Sequence, residues 1–254
     1  MTTQEASAAV RVPAYAPGAV EDLLTGGRIV RRAFLDERYL SAGRQSVVLA
    51  ADDTDIPVIL IHRGIAYRSC TLPDGRRAIL DLLLPGDIAG LDRIVLGRSN
   101  QEVIAASALG YRAMSAGKLR ELMGNRAVAL RVAALMAEAR WRMDRHVASV
   151  CRLDARERIG IFLLDIYDRL ARRGLVNRPT FNLPLTQEQI ADHLGITMVH
   201  VNRTLRRLRD DRLVLVDRQV VIIMDLARLR AVVTGLPQLP ELPEPVALVE
   251  AVGS

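Results

Sequence analysis

The side chains with the clearest chemistry in this chain lie between positions 199 and 207. Asn202 and Arg203 are followed by Arg206 and Arg207 at helical spacing. A guanidinium group binds phosphate or, in a bidentate manner, guanine, and an Asn amide can pair with adenine. This set of residues indicates a segment that contacts duplex DNA. A solvated helix face that is merely rich in arginine is the alternative, and the residues alone leave both interpretations open.

Two short helices must position those side chains. Thr186 followed by Gln189 is the pattern of a capping box, which predicts a helix from about Gln187 to Leu194. Gly195 can end this helix, and Thr197 can cap a second one. The second helix has an apolar stripe that we expect to face inward, formed by Val201, Leu205 and Leu208.

A hairpin follows the two helices. Residues 213–216 (LVLV) and 220–224 (VVIIM) read as strands, joined by a turn at 217–219. Helix, turn, helix and hairpin in this order predict a winged helix. Helix N-termini enter the major groove in such modules, while residues at the start of the preceding helix contact the DNA backbone. The predicted DNA contacts are Thr186, Gln187, Val199, His200, Asn202, Arg203, Arg206 and Arg207.

Composition limits the class of protein. The 254 residues are enough for two modest domains, and 35 Lys and Arg against 29 Asp and Glu give a net charge of +6, which suits a polyanionic partner. Aromatic residues make up only 4%, which disfavours single-strand binding by base stacking and favours duplex DNA. The sequence shows no apolar run of membrane-spanning length and no secretory signal pattern, so we expect a cytoplasmic protein that does not bind a membrane.

The order of sequence textures predicts an α+β protein with five segments. Residues 1–24 are expected to form a flexible arm. Residues 25–125 hold short apolar runs between glycines, which predict a compact antiparallel barrel or β-roll. A long dimerisation helix over 126–150 and the winged helix-turn-helix over 154–234 follow, and 235–254 form a Pro-rich tail that we expect to be flexible. Asp154 and Glu157 predict the start of a helix just after the break at 152–153.

The long helix carries two apolar stripes. Two apolar faces need two partners, which we expect to be the roll of the same chain and the same helix of a second copy. A fully buried helix within a monomer is the alternative. One stripe consists of Val132, Met136, Ala139, Met143, Val147 and Val150, and the other of Leu130, Ala134, Ala137 and Trp141.

A glycine-punctuated roll, a long helix and a C-terminal winged helix resemble the Crp/Fnr superfamily of bacterial transcription regulators. The motifs that carry the resemblance are LPDGRRAILDLLLPGDIAGLD at 72–92 and LTQEQIADHLGITMVHVNRTLRRLR at 185–209. The resemblance implies a cyclic-nucleotide-binding-like roll with a sensory role, a homodimer on a two-fold symmetric operator, contact with RNA polymerase, and a signal that reorients the DNA-binding domains about the hinge near 151–154. An interaction or adaptor protein, whose roll and winged helix bind protein partners, is the alternative function.

The recognition helix departs from the usual family pattern of Glu, then Ser or Gly, then Arg. The corresponding positions are Val199, Asn202 and Arg203. Arg203 keeps its expected contact with guanine or phosphate, while Val199 can pack only on a thymine methyl group. The operator therefore need not match the well-known family consensus sequences.

The effector stays unassigned. Arg98 and Ser99 match the Arg-Ser pair that holds a cyclic phosphate in the family, but the Glu that should stand about ten residues earlier is replaced by Ile88. The sequence therefore disfavours cyclic-nucleotide binding. Cys70 and Cys151 cannot supply the four thiolates of an iron–sulfur cluster.

Other chemistries leave weaker signals. Haem ligation by His62 or Cys70 stays open, and so does a redox role for Cys151 at the hinge, against an inert thiol. No metal-ligand spacing, phosphate loop or Gly-x-Ser-x-Gly elbow occurs. We therefore expect no enzymatic activity, and we expect the acids of the roll, Asp81, Asp87 and Asp92, to be solvated carboxylates at turns.

Overall fold

The computed structural model describes residues 19–51, 57–99, 101–176, 178–233 and 243 of the 254. Residues 1–18 of the predicted arm and, apart from Pro243, the predicted tail over 235–254 lie outside the described residues. Residues 19–24, which we predicted to belong to the arm, instead form the first turns of helix α1 (Ala19–Leu35). Its Gly26-Gly27 pair hides the helical pattern in the sequence.

The roll consists of two antiparallel four-stranded sheets, in the orders β1-β8-β3-β6 and β2-β7-β4-β5. All the apolar runs that predicted strands form strands, and the short β1 and β6 are additional. The strands are β1 (Tyr39–Ala42), β2 (Val47–Leu49), β3 (Val58–Arg63), β4 (Ala66–Thr71), β5 (Arg77–Leu83), β6 (Ile88–Ala89), β7 (Glu102–Ala105) and β8 (Leu109–Met114).

Besides α1, three helices of the described residues accompany the roll. The short α2 (Arg93–Leu96) lies between β6 and β7, and α3 (Ala116–Leu122) follows β8. The long α4 runs over Arg126–Arg152. Ser115 caps α3 and Asn125 caps α4 through side-chain oxygens that accept backbone N–H groups.

Helix α1 packs along α4 at very close range. A Cβ atom placed on Gly26 would lie 2.0 Å from the carbonyl oxygen of Ala127, so only glycine permits this approach. Leu23, Val30 and Phe34 of α1 are buried. Packing against α4 and the roll therefore stabilises a helix whose own propensity is low.

The two predicted stripes of α4 do not correspond to its buried and exposed faces. The face toward the rest of the chain contains Val128 and Val132 but also the buried Arg131 and Glu138. The opposite face leaves large apolar side chains from both stripes exposed, namely Met136, Trp141 and Val147. Apolar periodicity failed here because charged residues occupy part of the buried face.

The predicted break between α4 and the next helix is confirmed. Helix α5 (Ala155–Arg172) begins at a complete capping box formed by Asp154 and Glu157. Arg158 donates to the carbonyl oxygens of Val150 (2.6 Å) and Leu153 (2.9 Å), which are left without partners where α4 ends.

The C-terminal unit is a helix-turn-helix with a three-stranded wing. Its sheet has the order β10-β11-β9, so the predicted hairpin gains a third strand that the sequence did not reveal. The core of this unit also includes roll residues such as Tyr67 and Leu82. The elements are β9 (Thr180–Asn182), α6 (Gln187–Leu194), α7 (Met198–Asp210), β10 (Val214–Asp217), β11 (Val220–Ile223) and α8 (Leu226–Val232).

Candidate nucleic-acid interface

Helix α6 begins and ends where the sequence predicts. The Thr186 hydroxyl oxygen accepts the Gln189 N–H at 3.1 Å, and the Gln189 side chain accepts the Thr186 N–H at 2.8 Å. Gly195 ends the helix in the left-handed conformation (φ 64°, ψ 36°). Thr186 and Gln187 are exposed at the N-terminus of α6, so the Thr186 hydroxyl hydrogen can still be donated to a phosphate.

Helix α7 is held from its inner face. Val201, Thr204 and Leu208 are buried, and Leu205 is half-buried. Arg156 of α5 pairs with Asp211, which follows α7, at 2.6 Å. Contacts on the inner face therefore hold the helix from its first turn to its last, and its outer face is exposed.

The outer face of α7 carries all the predicted contacts on that helix. Val199 is 69% exposed, although an apolar side chain gains nothing from water there. The Nδ1 atom of His200 lies 3.1 Å from the Thr197 hydroxyl, so this ring helps to cap the helix and has its other nitrogen available to DNA. The exposed predicted residues on α7 are Val199, His200, Asn202, Arg203, Arg206 and Arg207.

An open groove of about 660 Å³ separates α7 from the wing. Gln187, Asn202, Arg203 and Arg206 line it, together with two arginines that the sequence analysis did not select. These are Arg209, near the end of α7, and Arg218, in the turn of the wing at φ 54°. Arg218 could have been selected from the sequence, because it lies in the predicted turn at 217–219. A basic residue at the tip of a wing is well placed to contact the DNA backbone.

The two effector candidates of the roll are separated by the fold. Ser99 is buried and lines a cavity of about 210 Å³, whereas Arg98 is exposed and does not line it. Arg93 is buried in the cavity wall and donates to the carbonyl oxygen of Ala50 at 2.8 Å. In this structure, therefore, only one residue of the Arg-Ser pair that the resemblance suggested lines the cavity.

The acids of the roll are not the solvated groups that the sequence led us to expect. Asp81 and Asp87 are buried, and Asp92 is half-buried. Burial would raise the pKa of Asp87, but Arg169 and Arg173 outweigh that effect and hold it at about 2. The same competition, with Arg142 and Arg68 as the cations, keeps the pKa of Asp81 well below its usual value. Proximity to a turn does not predict this burial, because most of the partner arginines come from helices α4 and α5 or the residue that follows α5.

The remaining candidates do not converge. Cys70 is half-buried on β4, and Cys151 is exposed in the last turn of α4. His62 lies on β3, where burial lowers its pKa and the nearby Arg112 and Arg31 lower it further. Within the described part of the chain, no group of three or more His, Cys, Asp or Glu residues could hold a metal ion. None of the described helices is long and apolar enough to cross a membrane.

Comparison with known proteins agrees with this architecture. A family model described as a Crp-like helix-turn-helix domain matches residues 157–232. The transcriptional activator protein FnrL of Cereibacter sphaeroides is 33% identical over 204 residues, covering 76% of this chain and 78% of that protein. The transcriptional activatory protein AadR of Rhodopseudomonas palustris is 27% identical over 198 residues, covering 76% of this chain and 80% of that protein.

A solved structure supports the same fold. The structure of FixK2 from Bradyrhizobium japonicum superposes with a TM-score of 0.70 at 22% identity, covering 79% of this chain and 99% of that one. The fold and the exposed helix-turn-helix thus define a winged-helix transcription regulator with an N-terminal roll. The chain belongs to the Crp/Fnr family and is a DNA-binding transcription regulator. The comparisons give no support to the alternative of an adaptor protein.

Proposed function

We propose that this regulator acts as a homodimer that recognises a two-fold symmetric operator through the outer face of α7. The observation that carries the proposal is that the α7 residues selected from the sequence are all exposed on a helix whose inner face is fully used in packing. The proposed assignments follow from side-chain chemistry. Arg203 binds guanine or phosphate, Asn202 pairs with adenine, and Val199 packs on a thymine methyl group.

The proposed backbone contacts surround those three residues. Thr186 and Gln187 donate to one phosphate strand from the N-terminus of α6. His200, Arg206 and Arg207 bind phosphates along α7. We add Arg209 and Arg218 to this set, because they line the groove between α7 and the wing, where one DNA strand would pass.

The dimer is supported by the uncovered face of α4. Met136 and Trp141 are each 39% exposed and Val147 is 51% exposed, with the small Ala133 and Ala137 between them. Small residues flanked by large apolar ones allow two helices to pack closely. A second copy of α4 is the occupant that symmetry favours, because most soluble oligomers are symmetric homo-oligomers.

Regulation is proposed to act through the spacing of the two recognition helices. A signal at the roll or along α4 would favour one spacing, and only a spacing of about one DNA turn places both helices in adjacent major grooves. The exposed position of Arg98 argues against a cyclic phosphate in the cavity. A four-thiolate cluster is not proposed, since the sequence has two cysteines. Oxidation at Cys151 is the form of control to test if no small effector is found.

The cellular location and a further partner follow from the proposed role in transcription. We infer that the protein works in the bacterial cytoplasm, where the chromosome is, that it is not an enzyme, and that it contacts RNA polymerase. The relatives that resemble this chain are named as transcriptional activators. Activation by such a protein requires a contact with the transcription machinery.

The test that separates a DNA regulator from an adaptor is the salt dependence of binding. The purified chain is titrated with an operator-length duplex at several salt concentrations. Neutralising Z phosphates predicts a plot of log K against log salt with a slope of about −0.9Z. A steep slope is the expected result. No DNA binding at low salt, together with salt-insensitive binding to a protein partner, would support the adaptor instead.

A further inference from the structure

A buried ionic network joins the roll to the DNA-binding unit. Asp87, just before β6, accepts the backbone N–H of Leu84 at 2.7 Å and pairs with Arg173 at 2.6 Å. The same carboxylate contacts Arg169 of α5. Arg173 also donates to the carbonyl oxygen of Pro85 at 2.8 Å, and Arg169 to that of Leu82 at 3.0 Å. The β5–β6 loop and the end of α5 are thus joined by charge-assisted hydrogen bonds.

The network continues into the long helix. Asp81 of β5 pairs with Arg142 of α4 at 3.2 Å and with Arg68 of β4 at 3.0 Å. Arg169 lies 3.9 Å from Asp81, so it connects the two carboxylates. Arg142 also pairs with Glu138 at 3.5 Å. Side chains of the roll, the predicted dimerisation helix and the DNA-binding unit therefore meet in one cluster.

The charged side chains of this cluster are buried, so they depend on one another for compensation of their charges. The Arg169 side chain is 2% exposed, and those of Asp87 and Arg173 are 6% and 7% exposed. Moving the DNA-binding unit separates these charges from their partners, which costs free energy wherever the charges stay buried. Because Asp87 has a pKa of about 2, it stays ionised throughout the physiological range and protonation cannot release the contact.

We propose that Asp81, Asp87, Arg142, Arg169 and Arg173 form an interdomain latch that sets the orientation of the recognition helix relative to α4. The latch also lines the roll cavity, since Asp81, Asp87 and Arg142 are part of its wall. A change in that cavity or in the position of α4 therefore acts directly on the charges that hold the DNA-binding unit. The effect of the latch on operator affinity rests on the proposed function, whereas its effect on the hinge does not.

The test uses the full-length chain, three variants of the latch and one control variant. Asp87→Asn and Arg173→Met each remove one side of the latch, and the double variant removes both. Arg230→Met is the control for loss of an arginine–carboxylate pair outside the latch, because Arg230 of α8 pairs with Asp168 of α5 at 2.5 Å, within the DNA-binding unit and in a more exposed position. Arg173→Lys keeps the charge but not the two-pronged geometry, and it is used if Arg173→Met does not fold.

Hydrogen exchange of the backbone amides at 152–154 reports on the hinge. Each single variant should exchange about tenfold faster or more there, since opening no longer breaks a complete ionic contact. The double variant should exchange little faster than the singles, and Arg230→Met should match the unaltered chain. Unchanged hinge exchange in Asp87→Asn and in the Arg173 variant that folds would overturn the latch.

DNA affinity gives the second readout. The latch predicts that Arg173→Met changes affinity for a two-site operator severalfold while leaving affinity for a single half-site unchanged, because only the two-site complex depends on spacing. Equal effects on both DNAs would contradict the latch as a control of spacing. If the unaltered chain does not bind DNA, the proposed function is rejected. If Asp87→Asn still accelerates hydrogen exchange at the hinge in that case, the latch is supported independently of the function.

Discussion

Arg203 and Arg207 lie four residues apart on α7, and both are exposed, yet we assign them different tasks. Arg203 lines the groove beside the wing together with Asn202, whereas Arg207 does not line it. A side chain nearer the N-terminus of a recognition helix is the better placed to reach base edges. Arg203 and Arg207 therefore differ mainly in their position on α7, and their substitutions can be compared directly.

Arg203→Ala should lower affinity for the operator by about 1–3 kcal/mol per contacted base and reduce specificity. Arg207→Ala should weaken binding to operator and random DNA alike and make the salt slope shallower by about one. Both effects are measured as affinities on operator and random duplexes. An equal loss on the two DNAs for Arg203→Ala would rule out base contact by this residue.

Individual residues of the recognition unit could be predicted because local rules govern them. Caps, turn glycines and exposed positions on a short amphipathic helix depend on neighbours within a few residues. The burial of Asp81 and Asp87 could not be predicted, since Arg142, Arg169 and Arg173, which pair with them, are distant in the sequence and only Arg68 is near. The role of an acid near a turn depends on such distant partners.

At the scale of elements, the approach of α1 to α4 makes a sharp prediction. Gly26→Ala places a Cβ atom against the backbone of α4 and should lower the free energy of unfolding by about 1–3 kcal/mol or more, as in other overpacked sites. Thermal or denaturant unfolding measures this loss.

The matched control for that substitution is Gly117→Ala in α3. A Cβ atom there meets nothing closer than the Ser115 hydroxyl at 4.0 Å, so alanine should stabilise the helix by about 0.5–1 kcal/mol. Equal free energies of unfolding for Gly26→Ala and Gly117→Ala would contradict the close packing of α1 on α4.

The elements themselves were predicted unevenly, for a physical reason. Helices α4 to α7 carry caps or strong periodicity and lie within a few residues of their predicted limits, and the apolar runs of the roll form strands, although β1 and β6 were not predicted. Helix α1 and strand β9 have little intrinsic preference and exist because of what they pack against. Tertiary contacts of that kind are not visible in a local sequence pattern.

At the scale of the whole molecule, the proposed dimer depends on the exposed face of α4. Val147→Arg should give a monomer, because it places a charge between the apolar faces of two packed helices. Val47→Arg is the control, since Val47 is 53% exposed on the roll against 51% for Val147. Sedimentation measures the mass of both variants. A Val147→Arg variant that stays dimeric would move the dimer interface away from α4.

The contact between the roll, α4 and α6 also makes stability depend on pH. His146 and His193 stack with ring centroids 4.5 Å apart. Burial, then the proximity of His193 and Arg158, lowers the pKa of His146 to about 4, and burial also lowers the pKa of His193. Above the unfolded pKa of about 6.5 both rings are neutral in either state, so stability there is unaffected.

Below pH 6.5 the unfolded chain binds protons that the folded chain refuses, so stability should fall as the pH drops from 6.5 toward about 4. His146→Gln should flatten this part of the curve while leaving the steeper loss at lower pH, where carboxylates protonate. Denaturant unfolding across this range tests the point. If the free energy of unfolding depends on pH in the same way in His146→Gln and in the unaltered chain, His146 does not contribute to this pH dependence.

The most direct test of the central claim is selection of genomic DNA fragments by the purified protein at two salt concentrations, with Arg203→Ala in parallel. We predict a palindromic motif whose half-sites lie about one helical turn apart, which survives the higher salt and is degraded for Arg203→Ala. A motif without two-fold symmetry, or one that Arg203→Ala leaves intact, would contradict recognition by a pair of α7 helices.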